Sequence, residues 1–335
     1  MRRLAVLAVV GAIACGGTDP GDGPVHRLRV PLGATFDAVT DSLVARGVIE
    51  SPRLFRLYAR ATGAIHEIQA GTYEFREGAG WRSVLADLTA GNVAYDRITI
   101  PEGWEVRRIA PEVAELTGLP TDSVMEYMLD SATAARFDVP GPTLEGYLYP
   151  STYRIPAGSG LDATIAPMVR EYRRLWTPER EARADSMGLS KREVTTLASI
   201  VEKEALAADE MPTIAAVYLN RLEINYRLQA DPTVQYARGE HETRLLFAHI
   251  DEVADNPYNT YTHGGIPPGP IGAPSERAIE AVLQPADVDY LYFVARPDGS
   301  HEFNRHLVDH NRARNRIRRE MSAAEAERDT GPDAD

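Results

Sequence analysis

A chain of 335 residues, 44% hydrophobic and 25% charged, has the length of about two globular domains and enough apolar residues to give each a core. Its net charge of −13 argues against a nucleic-acid binder, which needs a basic surface. The same charge says little against a neutral or zwitterionic substrate.

Arg2 and Arg3 precede Leu4–Ile13, an apolar run of ten. That is half of the roughly 20 residues a membrane span requires, so residues 1–15 read as an export signal or a short anchor. Cys15 is the sole cysteine, with Ala12-Ile13-Ala14 before it and two glycines after. Small residues ahead of a lone cysteine resemble a bacterial lipoprotein signal, in which Cys15 is lipidated and becomes the mature N-terminus. Against this, a leucine is usual where Ala12 stands, and an ordinary cleaved signal with an idle cysteine is the alternative. On either reading the mature protein is exported, and one cysteine permits no internal disulfide. Residues 16–27, rich in Gly, Pro and Asp, read as a tether.

From 28 to 95 the pattern predicts a strand near Val30, a helix carrying Phe36, Val39 and Leu43, a second helix over about 52–62, a strand at 71–75 and a helix from Trp81 to Leu88. Strand, helix, helix, strand in so short a span resembles a LysM-type carbohydrate-binding module; a structural spacer has the same order. Seventy residues after Val30-Pro31-Leu32-Gly33, Ile100-Pro101-Glu102-Gly103 starts a second strand-to-helix unit with Val106, Ile109 and Val113. It lies in an intermediate segment, 96–189. That segment also holds the aromatic turn Thr143–Tyr153, read as a packed turn or a sugar-stacking face, and a helix over 161–176.

The span 190–321 carries the chemistry. In VTTLASIVEKEA, Leu197, Ile200 and Val201 share one helix face, and the next position on it is Glu204. Glu202 lies roughly 200° round from it by the 3.6-residue turn, on the side of Thr195, Ala198 and Asp209, and is expected to be solvated. Desolvation raises a carboxyl's pKa, and a carboxyl still protonated near neutral pH is a general acid. An exposed helix that happens to carry two glutamates is the plain alternative.

A helix with Ile214, Val217, Tyr218 and Leu222 follows Pro212. Asp231 before Pro232 reads as an N-cap, or as a polar group facing a cleft. The stiff Gly/Pro loop from Tyr258 to Ile271, with Asn259 and Tyr261 near its start, suits a cleft lining. Ser275 caps the next helix. A hairpin of strands Tyr290–Ala295 and His301–Asn304 precedes a last helix with His306, His310 and Asn311, and 322–335 reads as a frayed polar tail. His301, His306 and His310 read as packing residues; neither a metal nor a cofactor is expected.

Taken in order, IVEKEA, RLQADPTVQY, YNTY..GGIPPGPI, YLYFVA and HEFN..L..HN, with LEGYLYPSTY and AGTYEF, closely resemble the motif series of the YceG-like endolytic murein transglycosylases over about 28–320. The resemblance implies a fold class of α+β: a small LysM-like N-terminal subdomain and a mixed α+β catalytic domain with its glutamate on a helix. It implies a bacterial enzyme that cuts peptidoglycan glycan strands internally near their site of synthesis, beside peptidoglycan synthases, and faces the periplasm or cell wall from a membrane. The family's catalytic glutamate is the second of its E-K-E segment, which falls on Glu204. Gln229, Asn259 and Tyr261 are expected substrate contacts, with Glu202 and Asp231 as weaker ones. Two departures stand out: Ala205 where a hydroxyl residue is usual, and only ten apolar residues where many relatives carry a full membrane helix. The rival readings are a hydrolytic muramidase, with Asp231 or Glu202 as second carboxylate, and a non-catalytic peptidoglycan-binding lipoprotein.

Overall fold

The computed structural model describes residues 21–242 and 245–329, with side chains to 322. The signal or anchor at 1–15, with Cys15, lies outside the described residues. The chain divides into two compact units: one takes the residues up to Ile98 with Glu115–Gly118 and Tyr153–Thr164, the other takes the rest. The intermediate segment 96–189 is thus shared between them.

In the first unit, β1 (Val25–Val30) is followed by α1 (Phe36–Ala45), α2 (Pro52–Thr62), a 3₁₀ turn (Ala64–His66), β2 (Gly71–Arg76) and α3 (Trp81–Ala90). Thr35 caps α1 by accepting from Ala38 N–H. Gly63 and Gly91 end α2 and α3 in the left-handed conformation glycine adopts freely. β1 and β2 are antiparallel, Val25 opposite Arg76 and Val30 opposite Gly71. This register puts Leu28, Val30, Tyr73 and Phe75 on one face, over Val39, Leu43, Phe55, Val84 and Leu88.

β3 (Tyr95–Ile100) pairs with β4 (Ser151–Pro156); between them lie α4 (Val106–Thr117), α5 (Thr121–Leu129) and α6 (Ser131–Arg136). Then follow α7 (Leu161–Leu175), α8 (Pro178–Ser186), α9 (Lys191–Glu204), a 3₁₀ turn (Ala208–Glu210), α10 (Met211–Glu223), α11 (Asp231–Arg238), α12 (Phe247–Glu252), α13 (Glu276–Leu283), the antiparallel pair β5 (Tyr292–Ala295) and β6 (His301–Asn304), and α14 (Leu307–Asp329). α14 continues into the segment expected to fray, because its run of Ala and Glu favours helix. Among the described residues no helix is long and apolar enough to cross a membrane.

α9 is the centre of the second unit and packs on α10, α13, α11 and α8. It is not the amphipathic helix its sequence suggests: every residue from Val194 to Val201 is buried. The polar ones are satisfied at home. Thr195 and Thr196 donate to the carbonyls of Lys191 and Arg192, and Ser199 to that of Thr196. Ser199 also accepts from Ile271 N–H, and Thr195 meets the Tyr172 hydroxyl. Hydroxyls that bond back to their own helix let a polar-looking face enter a core. A capping box between Ser190 and Glu193 starts the helix.

The aromatic turn is core rather than a sugar platform: Leu144 to Leu148 are all buried, with Tyr147 packed edge-on to Tyr172 at 5.0 Å. Gly146 has φ +81°, and a Cβ there would lie 2.2 Å from Pro270 Cβ, so only glycine lets the Gly/Pro loop seat against this turn.

Candidate active site

Glu204 is the last residue of α9, half-buried, and Tyr218 on α10 donates to its Oε1 at 2.8 Å. Tyr218 is fully buried and held edge-on by the Phe293 ring. Burial pushes the Glu204 carboxyl up to about 7; the charge of Asp231 adds to the rise, while the Tyr218 bond and the charge of Arg221 oppose it. The hydroxyl proton of Tyr218 is held far more tightly than usual, through burial and the Glu204 charge, so it acts as a fixed donor. A carboxyl that titrates near neutral pH can both give and take a proton.

Asp231 is exposed and receives the Tyr261 hydroxyl. It is the first residue of α11, with Ala230 at the cap position, so the N-cap expectation does not hold. Its carboxylate is spent on Tyr261. Gln229, half-buried, sits at φ +48°, a conformation uncommon for a side-chain-bearing residue. The segment is pinned on both sides: Gln229 N–H donates to Thr260 O at 3.1 Å, Ala230 N–H to Thr260 Oγ1 at 2.9 Å, and Arg221 donates to Leu228 O.

Asn259 belongs elsewhere. It is fully buried, its amide donates to Ile250 O and Val253 O, and its side-chain oxygen accepts from Tyr261 N–H. A loop with little regular structure must satisfy its buried carbonyls by other means, and Asn259 does so here, positioning Tyr261 instead of facing a cleft. Glu202 is also not free in solvent. It accepts from Ser275 N–H at 3.0 Å and Ser275 Oγ at 2.5 Å, and Ser275 in turn caps α13. Two of the histidines are accounted for by packing and pairing: His301 pairs with Glu210 at 2.6 Å, and His310 stacks on Tyr292 at 5.4 Å.

Sequence reasoning missed Tyr218 as the partner of Glu204, seeing only a core residue. It missed Arg221, 7% exposed, which donates to Leu291 O and Leu228 O between the rings of Tyr226 and Tyr292. It also missed two buried carboxyls. Glu105 is paired with Lys203 at 2.9 Å and Arg107 at 2.7 Å. Glu145 accepts from Val106 N–H, and burial and the Glu105 charge push it up to about 8. The one available signal was a glutamate inside the apolar run Leu144–Leu148.

Tyr218→Phe removes the donor that favours the Glu204 carboxylate. The Glu204 titration, followed by the carboxyl ¹³C shift, is expected to move upward by about one pH unit, since one bond to a charged group contributes about 1.5 kcal/mol. A downward move would show that Tyr218 is not what opposes the burial effect.

A desolvated carboxyl with a fixed donor, raised further by the charge of a carboxylate that a tyrosine holds, has the chemistry to give and take a proton near neutral pH. The chain belongs to the YceG-like family, whose sequence profile matches residues 28–316. It is 32% identical over 305 residues to an endolytic murein transglycosylase of Bacillus subtilis (strain 168), across 86% of this chain and 83% of that one. An endolytic murein transglycosylase of Streptococcus pneumoniae serotype 2 is 28% identical over 313 residues; the match spans 84% of this chain and 56% of that longer protein. The crystal structure of a yceG-like protein from Listeria monocytogenes superposes with a TM-score of 0.60 at 29% identity, covering 87% of this chain and all of that one.

Proposed function

We infer that the chain is an endolytic murein transglycosylase, a lyase that cuts bonds between N-acetylmuramic acid and N-acetylglucosamine within glycan strands and leaves 1,6-anhydro-muramic ends. Membership of the YceG-like family and relatives bearing that name support the activity. The observation that carries the mechanism is the desolvated carboxyl of Glu204 beside Tyr218.

Glu204, protonated, gives its proton to the glycosidic oxygen as the bond to the muramic C1 breaks. The sugar becomes oxocarbenium-like, and the Asp231 carboxylate, held by Tyr261, faces that positive charge. Glu204, now a carboxylate, takes the proton of the muramic acid's own 6-hydroxyl, whose oxygen closes on C1. No ordered water is needed, and intramolecular attack supplies much of the rate. Gln229, on its pinned backbone at φ +48°, is the proposed reader of an acetamido group, through its amide.

The exposed Asp231 also favours a second reading, hydrolysis by two carboxylates with a water between them. Mass spectrometry of products from purified glycan strands separates the two. Internal cuts with 1,6-anhydro ends are expected; reducing-end N-acetylmuramic acid would overturn the lyase reading and make Asp231 the second catalytic carboxylate.

The strand–helix–helix–strand order and antiparallel β1–β2 pair of the first unit support a LysM-like, glycan-binding role for it. For the anchor the support is the sequence alone: lipidation at Cys15 would hold the enzyme at a membrane, facing the wall and the synthases whose nascent strands it ends.

A further inference from the structure

The last turn of α9 has no left-handed glycine to close it. Ala205 is extended, φ −77° and ψ 115°, and the final helical bond runs from its N–H to Val201 O at 3.0 Å. Leu206 beyond it is exposed. A helix end of this kind frays unless side chains hold it. The three residues of that turn leave the helix about 100° apart, and each is tied to a different element: Glu202 to Ser275 at the start of α13, Lys203 to Glu105 just before α4, Glu204 to Tyr218 on α10.

The middle tie is a buried ion pair. The Lys203 side chain is 11% exposed and that of Glu105 3%. The lysine stem runs past Gly272, where a Cβ would lie 3.0 Å from Lys203 Cε and 2.7 Å from Gly103 O. The backbone closes over it through Gly103 N–H to Ala273 O and Ala273 N–H to Trp104 O. Arg107 holds the other Glu105 oxygen, and His241 reaches Oε1 at 3.3 Å. Beside them Glu145 accepts from Val106 N–H and, at 3.4 Å, from the Tyr236 hydroxyl. A buried ion pair contributes little net stability over apolar packing, so so much bonding at this one point calls for another role.

We propose that the Lys203–Glu105 ion pair is a positioning device, clamping the last turn of α9 so that the Glu204 carboxyl stays against Tyr218 and out of water. The inference rests on Glu204 being the acid. Releasing the clamp lets the turn unwind, exposes the carboxyl and returns its titration toward the ordinary range. The charged and titratable groups around the clamp are Arg107, His241, Glu145 and Tyr236; those around Glu204 are Tyr218, Arg221, Asp231 and Tyr261.

The test measures kcat and KM on purified glycan strands from pH 4.5 to 9 for the full chain and for Lys203→Met, Lys203→Arg, Glu105→Gln, Glu204→Gln and the double variant Glu105→Gln/Lys203→Met. In Lys203→Met the alkaline limb of kcat should fall by about one to two pH units as Glu204 is resolvated, giving roughly 5–50-fold loss at pH 7, recovery at pH 5 and KM within about twofold. Lys203→Arg should restore most of the profile. The double variant, which leaves neither partner uncompensated, should melt close to wild type yet keep the shifted limb, separating positioning from folding. An unshifted limb in Lys203→Met and the double variant, or a loss equal at every pH, would overturn the inference while an inactive Glu204→Gln still upheld the acid. Activity in Glu204→Gln would instead remove the reading on which it rests.

Discussion

Glu204→Gln should give a folded protein whose cleavage of glycan strands is lower by about 10²–10⁴-fold, the usual contribution of a general acid–base group. Gln keeps the shape and can still accept from Tyr218, but it has no proton to give. Stability should move the other way. The folded Glu204 titrates near 7, above the unfolded value of 4.5. The unfolded chain therefore sheds this proton first, and wild type loses stability as pH rises from 4.5 to about 7. Gln has no such dependence. The melting temperature of the variant relative to wild type should climb through that window and level off on either side. A variant that keeps full activity, or a difference that falls with pH, contradicts the assignment. Glu202→Gln, by contrast, retains an oxygen for Ser275 and no role in proton transfer, and its loss should be well under that of Glu204→Gln.

Arg221→Met should produce the largest loss of stability. The guanidinium donates to Leu291 O at 2.7 Å and to Leu228 O, and lies 5.5 Å from the centres of both the Tyr226 and Tyr292 rings. Methionine fills much of the volume but leaves two carbonyls without their donors. At about 1–3 kcal/mol for each unsatisfied buried group, the cost is roughly 2–6 kcal/mol. For a unit of this size that lowers the melting temperature by about 5–15 °C. Lysine should not rescue it, because a single ammonium cannot span two carbonyls as a planar fork does. Activity should fall as well, since Arg221 fixes the backbone that presents Gln229 and Asp231. Its charge also opposes the upward shift of Glu204, so the variant's acid should titrate higher. Melting within a degree or two of wild type would show that these bonds are replaced by water.

The local readings that held rest on local physics. β1, α1, α2, β2 and α3 follow from the periodicity; Ser275 caps α13; the hairpin of β5 and β6 lies where two strand patterns follow each other closely. That Glu204 ends the same helix as Leu197 was legible for the same reason: seven residues of spacing is a statement about one helix. The family was legible because its motifs lie in order along the chain.

What needed tertiary structure is what depends on distant residues. The solvated face predicted for α9 does not exist, because neighbouring helices enclose it and its threonines and Ser199 satisfy their own hydroxyls. Asn259 has the chemistry of a ligand contact, but only the fold shows its amide already bonded to Ile250 and Val253. Tyr218 and Glu204 are 14 residues apart on separate helices, and Lys203 and Glu105 are 98 apart. No periodicity links such pairs; packing alone decides whether a charge is desolvated, and by which partner it is held. The sequence by itself thus singled out Glu204 as a candidate, through its spacing from Leu197 and its place in the motif series. The tertiary structure decided its environment, because burial and the partners that oppose it are set by elements the local sequence does not contain.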